Sequence, residues 1–186
     1  FAAGEFTADG AGTTTLNHFA FTSDGSDWLP VGFALGMDGP VTMLAAGDNR
    51  LYAAGTFSFA DGNFCSGLAQ LQQDINPTPW TSLVDVANQR FAKTVYSMAV
   101  SSGDELIVDG EFQGFTVAGR RVGKWNGSMW TDITPASGQV SNLQHHNNAV
   151  FGQSTAGVMR WDGTSWSQLG IIPNYPSSFY IMQGYP

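Results

Sequence analysis

The side chains able to do chemistry are few and scattered. His145 and His146 stand together before Asn147 and Asn148, a grouping suited to a metal ion or to proton transfer at the mouth of a channel. A zinc site needs three or four convergent ligands, whereas His18 and Cys65, the other histidine and the sole cysteine, belong to distant stretches. Neither a metal nor another cofactor is therefore expected, and Cys65 reads as a small buried apolar residue. Asp24-Gly25-Ser26-Asp27 and Asp61-Gly62-Asn63 offer oxygen donors of the kind calcium takes, but without a full calcium-loop spacing, so they read as turns. Glu5, Asp109 and Glu111 hold related positions and would make paired carboxylates for glycoside chemistry if they converged; charges so placed more often face solvent or pair locally. No Gly-x-Ser-x-Gly elbow and no phosphate-cradling loop occurs, so no catalytic set is assigned. Asn126-Gly127-Ser128 fits the acceptor pattern for an N-linked glycan, which matters if the source is eukaryotic.

These residues are carried by a repeat. Phe1-Ala2-Ala3-Gly4-Glu5-Phe6 returns as Leu51-Tyr52-Ala53-Ala54-Gly55-Thr56-Phe57 and as Leu106-Ile107-Val108-Asp109-Gly110-Glu111-Phe112. An interval of about fifty positions points to a propeller or a solenoid. Each copy is short, rich in aromatic and β-branched residues and bounded by turn formers, the pattern of a strand between turns. Three further classes share the period. Class a is Val41–Leu44, Val95–Met98 and Val140–Leu143; class c is Phe19–Phe21, Leu68–Leu71, Val122–Trp125 and Val158–Trp161; class d opens at Trp28, Trp80, Trp130 and Trp166. The repeated glycine stretch is class b, and its fourth member, Asn148–Gln153, lacks the Gly-x-Phe spacing.

Four antiparallel strands per unit make a propeller blade. The expectation is an all-β chain, one propeller domain over residues 1–186, of four blades: 1–40 with 178–183, 41–86, 95–135 and 140–172. The last strand-like segment, Ser178–Met182, is expected to close the ring by pairing with the first b strand, since an unpaired edge exposes a row of backbone donors and acceptors. Phe1 begins inside a repeat without Met, so the chain is expected to be a processed mature form or a piece of something longer.

Blade length, a glycine closing strand b and a Trp opening strand d resemble kelch-type repeats, closest to the galactose-oxidase central-domain type of secreted and cell-surface proteins. The usual Gly-Gly doublet is replaced by Ala54-Gly55 and Asp109-Gly110. The resemblance implies strand a lining a central channel, strand d outermost, and an extracellular or cell-surface location. Propellers host enzymes, lectins and scaffolds alike, so it does not imply one function.

Composition narrows the choice. A net charge of −8, with no cluster of Lys or Arg, argues against a nucleic-acid partner. No apolar run approaches a membrane span. In a sheet ordered a-b-c-d the d–a and b–c connections share one end, which in propellers carries the binding site. Phe33, Met37, Phe91 and Tyr175 fall in the d–a connections and are the binding-face candidates, as exposed apolar contacts for a protein or a stacking platform for a sugar; the alternative is that they cap the blade cores. The leading expectation is a non-catalytic interaction or structural propeller that presents loops to a protein partner or to its own copies. A carbohydrate-binding propeller is the alternative, and a glycoside hydrolase or lyase acting at the channel mouth is the third reading.

Overall fold

Among the residues that the computed structural model describes, which are 1–31, 36–72, 80–117 and 119–170, the protein is all-β, with strands in five antiparallel sheets and no helix. β1 (Ala2–Ala3), β2 (Phe19–Phe21) and β3 (Leu29–Pro30) form a three-stranded sheet in the order b-c-d. β4 (Val41–Ala46) and β5 (Arg50–Gly55) are followed by a short hairpin, β6 (Phe59–Ala60) and β7 (Asn63–Phe64), and then by β8 (Leu68–Gln72) and β9 (Thr81–Ser82). Strands β4-β5-β8-β9 make the second sheet, and β6-β7 is an insertion between its b and c strands. The third sheet is β10 (Phe91–Val100), β11 (Leu106–Gln113), β12 (Arg120–Trp125) and β13 (Trp130–Asp132). The fourth is β14 (Ser141–His146), β15 (Ala149–Ser154), β16 (Gly157–Trp161) and β17 (Trp166–Gly170). The strand expected at Ser178–Met182, and with it the closure, lies outside the described residues.

The repeated glycine has a steric cause. A Cβ on Gly55 would sit 2.0 Å from the Pro40 carbonyl oxygen, one on Gly110 2.3 Å from that of Thr94, and one on Gly152 2.1 Å from a methyl of Val140. In each of these sheets the a–b pairing carries a register shift beside that point: between Val41 and Met43, between Val95 and Ser97, and between Ser141 and Gln144. A bulge adds a residue to one strand and drives it toward its partner, so only glycine fits opposite. The fourth b strand therefore keeps the glycine and loses only the aromatic residue two places on, where the buried Ser154 hydroxyl donates to the Gly157 carbonyl instead.

The chain divides into two compact units, Phe1–Val84 and Asp85–Pro186. In the first, Phe19, Val41, Leu51, Ala53, Phe57, Leu71 and Trp80 form one core, with the Phe19 ring edge-on to Trp80 at 5.0 Å. In the second, Ile107 and Val122 of the third sheet pack on Val140, Leu143, Val150, Met159 and Trp161 around the fourth. Hydrogen bonds join these two sheets as well: the Leu143 amide donates to the Ser97 hydroxyl, and the Trp166 indole donates to the Ile133 carbonyl. Within each unit, packing the two sheets face to face covers apolar surface that neither sheet could bury alone.

Candidate binding site

Among the described residues, c–d hairpins fix one end of the first, third and fourth sheets. Their sequences align as Asp24-Gly25-Ser26-Asp27-Trp28, Asn126-Gly127-Ser128-Met129-Trp130 and Asp162-Gly163-Thr164-Ser165-Trp166. In each, the first side chain accepts from the backbone amide and the hydroxyl two residues on: Asp24 from Ser26, Asn126 from Ser128, Asp162 from Thr164. The glycine takes a positive φ of 84° to 101°, which a side chain would resist. These bonds stabilise the ionised carboxylates: the Ser26 amide holds Asp24 below its usual range, and the Ser165 and Thr164 amides hold Asp162 down at about 2. In the last two hairpins the turn is bracketed by facing tryptophans, Trp125 with Trp130 and Trp161 with Trp166, ring centres 5.3 and 5.5 Å apart.

At the other end of the third sheet, the b–c and d–a connections enclose an open groove of about 710 Å³. Gly119, Arg120 and Arg121 line one wall; Asp132, Thr134, Pro135 and Gln139 line the other. Neighbouring residues on a strand point to opposite faces, and the two arginines behave accordingly. Arg120 is committed inward: it forms a forked pair with Asp109, with Nε 2.6 Å from Oδ1 and Nη2 on Oδ2, and its guanidinium lies 4.4 Å over the Tyr96 ring. Tyr96 in turn donates its hydroxyl to Glu111 at 3.1 Å. Asp109 is 0% exposed, and burial raises its pKa against the lowering effect of Arg120.

Arg121 is not so committed. Its Nε donates to the Val117 carbonyl at 3.3 Å and stands 3.9 Å from Oδ2 of Asp132, while its terminal amino groups donate to none of the described residues. Oδ1 of Asp132 accepts from the amide and hydroxyl of Thr134, which leaves Oδ2 facing Arg121. The groove thus offers an accessible donor fork beside an acceptor. An extended peptide, which presents C=O and N–H groups in alternation, satisfies both.

The residues singled out by sequence scatter. Met37, expected on an exposed loop, is 2% exposed: its backbone bridges Ala60 of β6, and it joins the core of the first unit. Phe91, expected in a connection, opens β10 opposite Gln113 and is half-buried, because the preceding loop is short and is closed by the pairing of Asp85 with Arg90. Phe33 and Tyr175 lie outside the described residues. His145 and His146 end β14 at its hairpin with β15, at the a–b end of the fourth sheet; His145 is exposed, and the His146 ring lies 6.5 Å from that of Phe151. His18 donates from Nδ1 to the Gly4 carbonyl at 3.2 Å. Among the described residues no three His, Cys, Asp or Glu side chains gather as metal ligands would. Cys65 is buried, and its thiol is pushed up to about 11 by that burial. Asp61 spends its carboxylate on the Gly36 and Trp80 amides, which is turn and loop anchoring. Glu5 is exposed, Glu111 engages Tyr96 and Asp109 engages Arg120, so the last two carboxylates are occupied locally.

Sequence reasoning passed over Arg121 and Asp132. Nothing in their local spacing distinguishes them, and only the meander of the sheet sets the two connections side by side. The paired rings of Phe59 and Phe64 on the inserted hairpin, 5.7 Å apart and 45% and 56% exposed, were equally hidden, although Asp61-Gly62 between them is a hairpin-turn signal. Comparison with known proteins supplies no relative: no protein-family model, no curated protein and no solved structure matches this chain.

Proposed function

We propose that the chain is a propeller-type repeat protein that works outside the cell as a non-catalytic binding module, engaging a peptide segment of a partner protein or of its own copies. Support for the architecture comes from three successive four-stranded meanders and an initial sheet short of its a strand; in this reading the segment around Ser178–Met182 supplies that strand and closes the ring. The function rests on one observation, the groove where the b–c and d–a connections of the third sheet meet, with the Arg121 fork beside Asp132. Its low net positive character and the −8 charge of the chain suit a polypeptide better than a nucleic acid.

A carbohydrate ligand is the second reading, favoured by the two solvent-facing phenylalanine rings of the inserted hairpin, whose faces suit the apolar side of a sugar. Light scattering over a concentration series, run beside a glycan array on wild type and on Arg121→Met, separates the two. Association that weakens in Arg121→Met supports the peptide reading. Sugar binding by a strictly monomeric chain, unaffected by Arg121→Met and lost on replacing Phe59 and Phe64, overturns it.

A further inference from the structure

The turn at Asn126 carries a chemical difference from its two counterparts. The three c–d turns among the described residues are each built by a side-chain oxygen at the first position, but Asp24 and Asp162 are carboxylates, whereas Asn126 brings an amide. The turn uses only its Oδ1, which accepts from the Ser128 amide, the Ser128 hydroxyl and the Met129 amide at 3.0 to 3.1 Å. Its Nδ2 donates to none of the described residues, and the side chain is exposed. Of the two Asn-x-Ser/Thr triplets in the 186 residues, Asn76-Pro77-Thr78 has proline in the middle, which blocks acceptance, whereas Asn126-Gly127-Ser128 has proline neither in the middle nor after it.

We infer that Asn126 is an N-glycan attachment site. The inference rests on the extracellular reading above. In the reaction, Nδ2 attacks the anomeric carbon of a lipid-pyrophosphate-linked oligosaccharide. The new C–N bond forms as the C–O bond to pyrophosphate breaks, the electron pair leaves on the pyrophosphate, and the amide gives up one of its two protons to the transferring enzyme. The finished linkage keeps Oδ1, so all three turn bonds survive it. The c–d turn also lies at the opposite end of the third sheet from the groove, so a glycan here adds bulk and solubility without covering Arg121 or Asp132.

The test is expression of the full chain behind an added secretion signal in a eukaryotic cell, with intact mass measured before and after peptide N-glycosidase. Wild type should carry glycan mass that the glycosidase removes, leaving Asp at 126. Ser128→Ala should lose that mass. Asn126→Asp should lose it too, yet be secreted with an unchanged melting temperature, because Asp already serves this turn at positions 24 and 162. Wild type secreted at bare polypeptide mass overturns the inference, as does glycan mass that persists in Asn126→Asp. Because the assay supplies its own signal, such a failure concerns the attachment site and leaves open where the natural protein resides.

Discussion

The first and third sheets are built from the same repeat, yet they are not equally held. The third has four strands, a b strand buried along most of its length, and a cluster in which Trp130 lies edge-on to Phe112 and tilted against Trp125. Among the described residues the first has three short strands, and its corresponding tryptophan, Trp28, is 37% exposed. The glycines tell the same story. At Gly110 strand a crowds the space a Cβ would need, whereas at Gly4 a Cβ would meet, among the described residues, the Phe6 ring at an ordinary 3.4 Å. A strand a pressed against strand b is what turns a meander into a rigid unit, and its bulge is what demands the glycine.

Substitutions at matched positions probe that contrast. Trp130→Ala should cost about 3–5 kcal/mol by chemical denaturation, because it empties a fully buried site, while Trp28→Ala should cost below about 1 kcal/mol. Equal losses would mean that the first sheet is as well packed as the third. Next in size is Arg120→Met, which strands the Asp109 carboxylate in the core; since Arg120 is itself about a third exposed, a loss of about 2–3 kcal/mol at neutral pH is expected. The sign of its pH dependence follows from burial. Asp109 already has a raised folded pKa, so its ionisation opposes folding as pH rises through the window between the unfolded value of 3.8 and that folded value. Removing Arg120 raises the folded value further, and the stability gap between variant and wild type should therefore shrink in acid. A gap constant from pH 7 to pH 4 would show that the pair is not ionised as drawn.

Gly110→Ala should cost about 1–3 kcal/mol through its clash with the Thr94 carbonyl, and the ring closure proposed above calls for a comparable loss in Gly4→Ala. A near-neutral Gly4→Ala would count against that closure. The smallest effect is in the turns. Asp24 and Asn126 make the same turn, but only Asp24 titrates, with a lowered pKa. Its stabilisation is present above the unfolded value and is lost as pH falls through the folded one. Amide exchange should therefore quicken at Ser26 in acid and stay level at Ser128, apart from the intrinsic dependence of exchange on pH.

Much of this framework is written locally. Valine- and aromatic-rich runs between Gly, Asp and Asn turns mark the a, b, c and d strands of three sheets and the b, c and d strands of the first, because each run buries one face and its ends are turn formers. Met37 takes the core place that was the alternative for it, because what covers it is the β6-β7 hairpin, some twenty residues on in the chain. Phe91 was misjudged because Val86 to Gln89 show no alternation, and the pairing of Asp85 with Arg90 depends on the Asp85 carboxylate capping Asn88. The groove escaped for a related reason: Arg121 and Asp132 belong to separate strands, and the meander, not any motif, makes them neighbours.

The displaced residue in each a strand bears on a hazard peculiar to tandem copies. Segments of one pattern repeated in a chain invite each strand to pair with the wrong copy while folding. A bulge with a matching bare backbone opposite works as a key, since a strand shifted by one place, or borrowed from another repeat out of phase, would drive its extra residue into a side chain. Three such keys, at Gly55, Gly110 and Gly152, favour the correct register in a chain whose strands repeat one pattern.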